Sequence, residues 1–357
     1  MKDIAQWHTW REIMQQPEIW RRWFATFDVT QTRRWIDALE IDEIWLCGAG
    51  TSAYIGDILA AGLIDSTGPR IRSIATTDIV ATPHLYLHNA NPLVINFGRS
   101  GDSTESIGTL DALDVLAPHA PRLNITCNGK SALATRQSQA PTHVIVLPSE
   151  THDLGFAMTS SFSTMLITAL ALLDRSTNPI DAIDKIAETF HKLVPEFVEL
   201  AQTRPDRIVY LGTGPLAFAA REASLKTLEL TAGQIASMWE STLGFRHGPK
   251  SFVRDDTMVV VFRSPNGHAR SYEADLLTEM QEQFPNNQIC SVDLAAQPSS
   301  RISENTAWFA PLMVTLAQIQ SATWSNELSL NVDNPFQGKG TLSRVVSGVT
   351  LHEVPKW

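Results

Sequence analysis

The feature that most constrains this chain is an internal repeat of a strand, a glycine-rich exit and a helix. One apolar run begins at Ile44 and reads I-W-L-C-G-A-G-T-S, and another begins at Ile208 and reads I-V-Y-L-G-T-G-P. Each is followed, at nearly the same separation, by a second apolar run: L-V-I-N-F-G-R-S at Leu93 and V-V-V-F-R-S at Val259. Matched strands at a matched separation indicate a duplicated α/β unit.

Strands that alternate with helical patterns predict an α/β fold of two tandem, doubly wound parallel sheets, each in three αβα layers. In the first unit the apolar runs predict strands near 44–47, 71–75, 93–97, 123–127 and 143–147. The predicted divisions are a helical arm at 1–40, a first unit at 41–175, a helical connection at 176–206, a second unit at 207–345 and a tail at 346–357.

The N-terminal arm is rich in tryptophan. Trp7 and Trp10, and likewise Trp20 and Trp23, are three residues apart, so each pair lies on one face of a helix. Such apolar faces must be covered by something. We expect them to pack against a second subunit rather than against their own domain.

Length, charge and cysteine content limit the number of domains, the class of partner and the expected location. The length of 357 residues suits two domains, and the formal net charge of -10, without any basic run, argues against a nucleic-acid partner. Three cysteines favour reduced thiols and a cytoplasmic location over a disulfide framework. The longest apolar stretch, Met165 to Leu173, is too short to span a membrane. No metal-ligand spacing occurs, so we expect neither a metal nor a cofactor.

The strand exits are candidate anion sites. A glycine turn into a helix presents backbone N–H groups at the positive end of the helix dipole, and R-S-G-D-S-T adds several side-chain donors. A cap of the next helix, with Ser103 or Thr104 as N-cap, would use the same donors, and both interpretations stay open. A second hydroxyl cluster follows His152 and Asp153. The candidate anion ligands at the strand exits are Thr51, Ser52, Arg99, Ser100, Ser103 and Thr104.

Candidate catalytic residues lie between Arg221 and Lys250. Glu222, Lys226 and Glu229 share one helix face, and a carboxylate beside an ammonium can move protons. The spacing alone favours a solvated salt-bridge ladder instead. His247, in the loop F-R-H-G-P-K, suits acid/base chemistry near neutral pH, although a lone histidine is more often structural.

These strings resemble a known family. G-A-G-T-S, F-G-R-S-G-D-S, T-C-N and L-K-T-L-E-L-T-A-G are similar to the sugar isomerase (SIS) fold and to the isomerase half of glucosamine-6-phosphate synthase. E-T-H-D-L-G-F-A-M-T-S-S and L-G-F-R-H-G-P-K-S-F-V resemble the galactosamine-6-phosphate deaminase/isomerase family, also called tagatose-6-phosphate ketose/aldose isomerases. The resemblance extends from about Trp20 to near the end of the chain.

The resemblance implies roles for individual residues. Glu229 matches the glutamate that moves the proton between C1 and C2, with Glu222 and Lys226 as its helix partners. His247 matches the ring-opening histidine, which in this fold usually reaches the neighbouring subunit, so we expect a homodimer or a higher homo-oligomer. The resemblance also implies that Ser52, Arg99, Ser100, Ser103 and the cluster of Thr159 and Ser160 contact the phosphate and the nearby sugar hydroxyls. The synthase's C-terminal lysine has no aligned equivalent, and Lys339 and Arg344 are merely nearby.

The implied reaction is deamination of galactosamine 6-phosphate to tagatose 6-phosphate and ammonia. The glutaminase half of the synthase does not occur in this sequence, which favours the deaminating direction. Three alternatives remain: a tagatose-6-phosphate ketose/aldose isomerase, a glucosamine-6-phosphate deaminase, and a sugar-phosphate sensor without catalysis. The sensor is the least favoured, because no basic helix-turn-helix occurs.

Overall fold

The computed structural model describes residues 3–64, 68–87, 91–294, 302–340 and 342–355. Its nine strands in this part of the chain form two sheets in which every pairing is parallel. The strands are β1 (Glu43–Gly48), β2 (Arg70–Ala75), β3 (Leu93–Gly98), β4 (Arg122–Thr126), β5 (Thr142–Val146), β6 (Arg207–Gly212), β7 (Ala236–Ser241), β8 (Thr257–Phe262) and β9 (Ile289–Val292). The five strands predicted for the first unit are therefore confirmed.

Helices connect and cover the strands. They are α1 (His8–Met14), α2 (Gln16–Phe24), α3 (Val29–Asp37), α4 (Thr51–Gly62), α5 (Thr76–Ala81), α6 (Pro83–Leu87), α7 (Thr104–Leu116), α8 (Ala132–Thr135), α9 (Ser160–Leu173), α10 (Pro179–Leu200), α11 (Pro215–Leu230), α12 (Gly267–Gln283) and α13 (Ala310–Glu327). Local signals account for their ends: Asn178 caps α10, with Pro179 in its first turn, and Asn266 caps α12.

Both sheets have the same kind of topology. The strand order is β2-β1-β3-β4-β5 in the first and β7-β6-β8-β9 in the second. In each, the chain leaves a central strand for one neighbour and then crosses to the other side. The resulting switch points, between β1 and β3 and between β6 and β8, are where doubly wound sheets bind ligands at the carboxyl ends of their strands.

One hydrophobic core joins the two units. It includes strand residues of both sheets, such as Leu46 and Tyr210, together with the whole of α9 and most of α13. The helix α11 contacts both α13 and α4. A helix of the first unit, α4, therefore packs directly against a helix of the second unit, α11.

The expectation that the tryptophan arm packs on a second subunit is corrected by the structure. Trp20 is fully buried in the core of its own chain and donates to the Ser163 hydroxyl at 3.1 Å. Trp23 donates to Thr168 at 3.0 Å. Both hydroxyls lie on α9, so the threonine and serine positions of that apolar helix serve as acceptors for the indole N–H groups.

The C-terminal segment returns across the first unit. Val354 packs against a cluster of β1 and β3 side chains, and the Val346 carbonyl accepts from the Thr104 N–H at 3.3 Å. The last two residues of the predicted tail, 356 and 357, lie outside the described residues. Across the ranges described above, no helix is both long and apolar enough to cross a membrane.

Candidate active site

A glycine turn at the carboxyl end of β1 sets the start of α4. Gly50 has a φ of +55°, in the left-handed region that favours glycine. A Cβ atom on Gly48 would lie 2.5 Å from the carbonyl carbon of Ser52, so the chain can approach itself only because that atom is absent. This turn places Thr51 and Ser52 in the first turn of α4.

A hydrogen-bonded cluster joins Thr51 to α11. The Lys226 ammonium lies 2.5 Å from Glu229 Oε2, 3.3 Å from Glu222 Oε1 and 3.0 Å from Thr51 Oγ1. Thr51 in turn donates its hydroxyl proton to Glu222 Oε1 at 3.0 Å. One lysine thus holds two carboxylates of its own helix and the first turn of a helix from the other unit.

Burial distinguishes this cluster from a solvated ladder. The side chains of Glu222 and Lys226 are 0% exposed, whereas that of Glu229 is 21% exposed. A lysine is almost never fully buried unless it is paired, and here two carboxylates pair with it. The salt-bridge ladder that the spacing alone favoured is therefore not what the chain forms. Glu229 is the carboxylate that a ligand can reach.

The electrostatics of the two carboxylates follow from their positions. Burial raises the pKa of Glu222 to about 7, against the opposing charge of Lys226. Burial disfavours the ammonium of Lys226, but the charges of Glu222 and Glu229 outweigh it and raise the pKa of that lysine. Among the described residues, Glu222 Oε2 has no hydrogen-bond partner. Glu222 is suited to holding a proton, and Lys226 to remaining charged beside Glu229.

The loop after β3 is a second part of the site. Ser103 is the N-cap of α7, and its hydroxyl accepts from the Ser106 N–H at 3.3 Å, which confirms the predicted cap. Gly101 has a φ of +70°, and a Cβ atom there would lie 2.3 Å from the Ser131 hydroxyl. The Ser100 hydroxyl accepts from the Asp102 N–H at 3.3 Å. The loop is shaped by its own hydrogen bonds, and Ser100, Ser103 and Thr104 are half-buried along it.

Arg99 is placed differently from the expected phosphate ligand. Its guanidinium is buried and donates to the carbonyls of Gly155 at 3.2 Å, Phe156 at 3.0 Å and Arg344 at 2.9 Å. Burial lowers the pKa of Arg99, with Asp153 opposing the effect. In this structure the side chain joins the loop before α9 to the C-terminal segment, and its contact with a phosphate stays a prediction.

The hydroxyl cluster at the start of α9 is occupied from within the chain. The Asp153 carboxylate accepts the backbone N–H groups of Thr159 at 2.9 Å, Ser160 at 3.0 Å and Ser161 at 3.1 Å. Thr159 and Ser160 are both fully buried, and the Ser160 hydroxyl donates to the Glu12 carbonyl at 2.7 Å. The donors predicted for a ligand are used here to cap a helix.

His247 does not join the α11 cluster within this chain. It follows a short 3-10 helix, Gly244–Arg246, and its side chain is exposed. None of the hydrogen bonds or ion pairs found among the described residues links it to Glu229. The residues around it are fixed, since Arg246 and Lys250 both pair with Glu279.

Two further residues shape the site: Glu12, which the sequence did not single out, and Arg344, which it placed only near the expected C-terminal lysine. Glu12, on α1, accepts the N–H groups of Leu154 at 2.5 Å and Gly155 at 3.2 Å. Arg344 donates to the Asp153 carbonyl at 2.6 Å, and its guanidinium lies 3.4 Å from His152 Nε2. Neither residue belongs to a local motif, because its partners lie far away in the sequence.

Comparison with known proteins assigns the fold. The SIS domain family matches residues 40–175, the first of the two units. The chain is 37% identical over 369 residues to D-galactosamine-6-phosphate deaminase AgaS of Escherichia coli, covering 96% of each protein. It is 38% identical over 362 residues to the enzyme of that name from Shewanella sp. strain ANA-3, covering 98% of this chain and 92% of the relative.

Solved structures agree. Tagatose-6-phosphate ketose/aldose isomerase from Escherichia coli matches with a TM-score of 0.85 at 34% identity, covering 97% of this chain and 96% of that chain. Glucosamine-6-phosphate deaminase from Thermotoga maritima matches with a TM-score of 0.71 at 22% identity, covering 95% of this chain and 99% of that chain. At this identity the match is evidence for the fold alone.

Proposed function

This SIS-domain chain belongs to the AgaS family of D-galactosamine-6-phosphate deaminases, and we propose that it converts galactosamine 6-phosphate and water to tagatose 6-phosphate and ammonia. It is an enzyme of the sugar-phosphate deaminase/isomerase class. The observation that carries the proposal is the contact of the buried Lys226 ammonium with Glu229, the most exposed member of the cluster.

Glu229 is the proton-transferring base. In the open-chain amino sugar it removes the proton from C2, which gives an enaminol, and it returns the proton to C1. The product is an imine at C2, and water hydrolyses it to the ketone with release of ammonia. Lys226 supports this step because its ammonium pairs directly with the Glu229 carboxylate and holds it in place. Glu222 and Thr51 hold the Lys226 ammonium in position through their own contacts with it.

The phosphate binds at the carboxyl ends of β1 and β3. The N-terminal turn of α4 and the loop 99–104 offer hydroxyl groups on either side of this switch point. Ser52, Ser100, Ser103 and Thr104 are the proposed ligands there. Arg99, Thr159 and Ser160 support the loops through the contacts described above, and Arg99 adds a positive charge.

Ring opening requires a second acid/base group. We assign this step to His247, which is exposed and outside the cluster of its own chain, and which would reach the site of a second subunit. The working form is then at least a homodimer. The free cysteines, two of which are buried, suit the reducing conditions of a cytoplasmic enzyme.

A second candidate is aldose/ketose isomerisation of tagatose 6-phosphate, favoured by the name of the Escherichia coli structure that this chain resembles. The proton transfer would be identical, but C2 carries a hydroxyl group and nothing leaves.

A substrate comparison tests the proposal. The purified protein is incubated separately with galactosamine 6-phosphate, glucosamine 6-phosphate and tagatose 6-phosphate, and both ammonia and ketose are measured, with the Glu229→Gln variant as the blank. We expect ammonia and tagatose 6-phosphate in equal amounts from galactosamine 6-phosphate. Turnover of tagatose 6-phosphate without ammonia from either amino sugar would instead establish the isomerase. Release of ammonia from glucosamine 6-phosphate alone would show that the substrate has the opposite configuration at C4.

A further inference from the structure

The second unit repeats the glycine turn that opens the site of the first. Gly214 has φ +59° and ψ -129°, and Gly50 has φ +55° and ψ -128°. The first hydrogen bonds of the following helices match as well: Ala217 N–H donates to the Gly214 carbonyl at 3.0 Å, and Ala53 N–H to the Gly50 carbonyl at 2.9 Å. The two units therefore present the same backbone at the same strand exit.

The side chains on this backbone differ. Where the first unit has Thr51 and Ser52, the second has Pro215 and Leu216. Proline has no N–H, and leucine brings no donor. The second turn has thus kept its conformation but lost both hydroxyl groups, including the counterpart of the proposed phosphate ligand Ser52.

A carboxylate from α12 occupies the second switch point. Glu273 Oε2 accepts the Ser264 N–H at 3.0 Å and lies 3.4 Å from Arg263 Nε. Arg263 and Ser264 directly follow β8, as Arg99 and Ser100 directly follow β3. The carboxylate also has the side chain of Thr213, at the exit of β6, beside it. Glu273 therefore meets both strand exits of this switch point.

The environment of Glu273 is that of a ligand site rather than of an ordinary surface ion pair. Its side chain is 0% exposed. Burial raises its pKa, while the Ser264 N–H, Thr213 and Arg263 favour the charged form. Neither Glu273 Oε1 nor the buried Arg263 Nε has a hydrogen-bond partner within the described residues, so the carboxylate leaves one donor of the site unused. At the corresponding distance from its N-cap, α7 carries the buried, apolar Leu110.

We propose that the second unit retains an oxyanion site, equivalent in place to the phosphate site of the first unit, and that the Glu273 carboxylate is its built-in occupant. The duplicated fold then offers two anion sites, of which only the one between β1 and β3 is open to a phosphorylated ligand. Removing the carboxylate without filling its volume would free the second site for an anion from solution.

Inorganic phosphate is the probe. Its binding to the full chain is measured by equilibrium dialysis for the wild type, for Glu273→Ala and for Glu282→Ala, which removes an exposed carboxylate from the same helix. We expect Glu273→Ala to bind one phosphate per chain more than the wild type, and Glu282→Ala to match the wild type. Adding Arg263→Ala to Glu273→Ala removes the extra phosphate. The measured quantity is the difference in bound phosphate between the variant and the wild type. The test therefore works even if the wild type binds no phosphate.

A folded Glu273→Ala protein that binds no additional phosphate overturns the proposal, as does a wild type that already binds two. If Glu273→Ala is insoluble, it is refolded with phosphate or with chloride at equal ionic strength, and recovery in phosphate alone supports the site. Failure in both, together with a Glu273→Gln variant whose Tm equals that of the wild type, shows that the carboxylate charge is not required and rejects the proposal.

Discussion

At the scale of single residues, exposure assigns different tasks to chemically identical side chains. Glu222 and Glu229 contact the same ammonium, yet only Glu229 has surface that a substrate can touch. Glu222, the fully buried carboxylate, tends to hold a proton because burial raises its pKa. A pair of carboxylates in unlike environments is a recurrent arrangement for proton transfer.

Glu12 provides a prediction for stability. Burial, with the neighbouring charge of Asp153, raises the pKa of Glu12 to about 7. Between pH 4.5 and 7 the unfolded chain therefore loses this proton before the folded chain does, and the free energy of unfolding falls as the pH rises, by at most about 3 kcal/mol from this group. In Glu12→Gln this part of the pH dependence should disappear, as measured by urea denaturation at pH 5 and pH 8.

The matched control is Glu18→Gln, an exposed carboxylate of the same arm. It should leave the pH dependence of the wild type unchanged. Identical pH dependence in Glu12→Gln and wild type would mean that Glu12 titrates in the folded protein as it does in the unfolded chain.

Single residues also show what could be read from the sequence. The spacing of Glu222, Lys226 and Glu229 predicted their shared face, and the structure confirms it. It could not reveal the partner Thr51, because that contact is made by a helix of the other unit. The sequence also could not reveal that Asp153 accepts the hydrogen bonds of the Thr159 N–H and hydroxyl groups. The sequence of a helix start is the same whether its N–H groups bind an external anion or a carboxylate of the same chain.

At the scale of elements, the loop between β3 and α7 serves two purposes. Ser103 caps α7 and is a proposed phosphate ligand. We predict that Ser103→Ala raises KM for the sugar phosphate with little change in kcat, because the phosphate is held equally in the ground and transition states. Loss of the cap should also lower the free energy of unfolding by about 1 kcal/mol.

Asn178→Ala is the control for this prediction, because Asn178 caps α10, a helix outside the proposed site. It should cost similar stability without changing KM. An unchanged KM in Ser103→Ala, in a protein that has lost stability, would leave Ser103 as a cap alone and move the phosphate elsewhere.

Elements were predicted more fully than their packing. The strand positions and the glycine turns could be predicted from apolar runs and from the glycines that end them, because these signals are local. The packing of the tryptophan arm did not, because the serine and threonine acceptors of α9 become apparent only when α2 lies against that helix. An apolar face in a sequence shows that something covers it, but not which chain supplies the cover.

At the scale of the whole molecule, the proposed role of His247 places residues of two subunits in one site. If His247 serves the partner, Glu229→Ala and His247→Ala should each be nearly inactive, and co-expression of the two should restore part of the activity. One of the sites in each mixed dimer then has both residues intact. We expect up to a quarter of wild-type activity per chain, as the statistical limit for random dimers. No recovery in mixed dimers, or an active monomer in sedimentation, would place ring opening within one chain.

The proposed transfer of the proton between C2 and C1 by Glu229 can be followed with substrate that carries deuterium at C2. With the wild-type enzyme, deuterium should appear at C1 of the ketose or be lost to water during turnover. With Glu229→Gln, which keeps the shape of the side chain but cannot accept the proton, deuterium should stay at C2 of recovered substrate while the protein remains folded. Full loss of deuterium from C2 in the Glu229→Gln variant would show that another group is the base, and Glu222 would be the next residue to test.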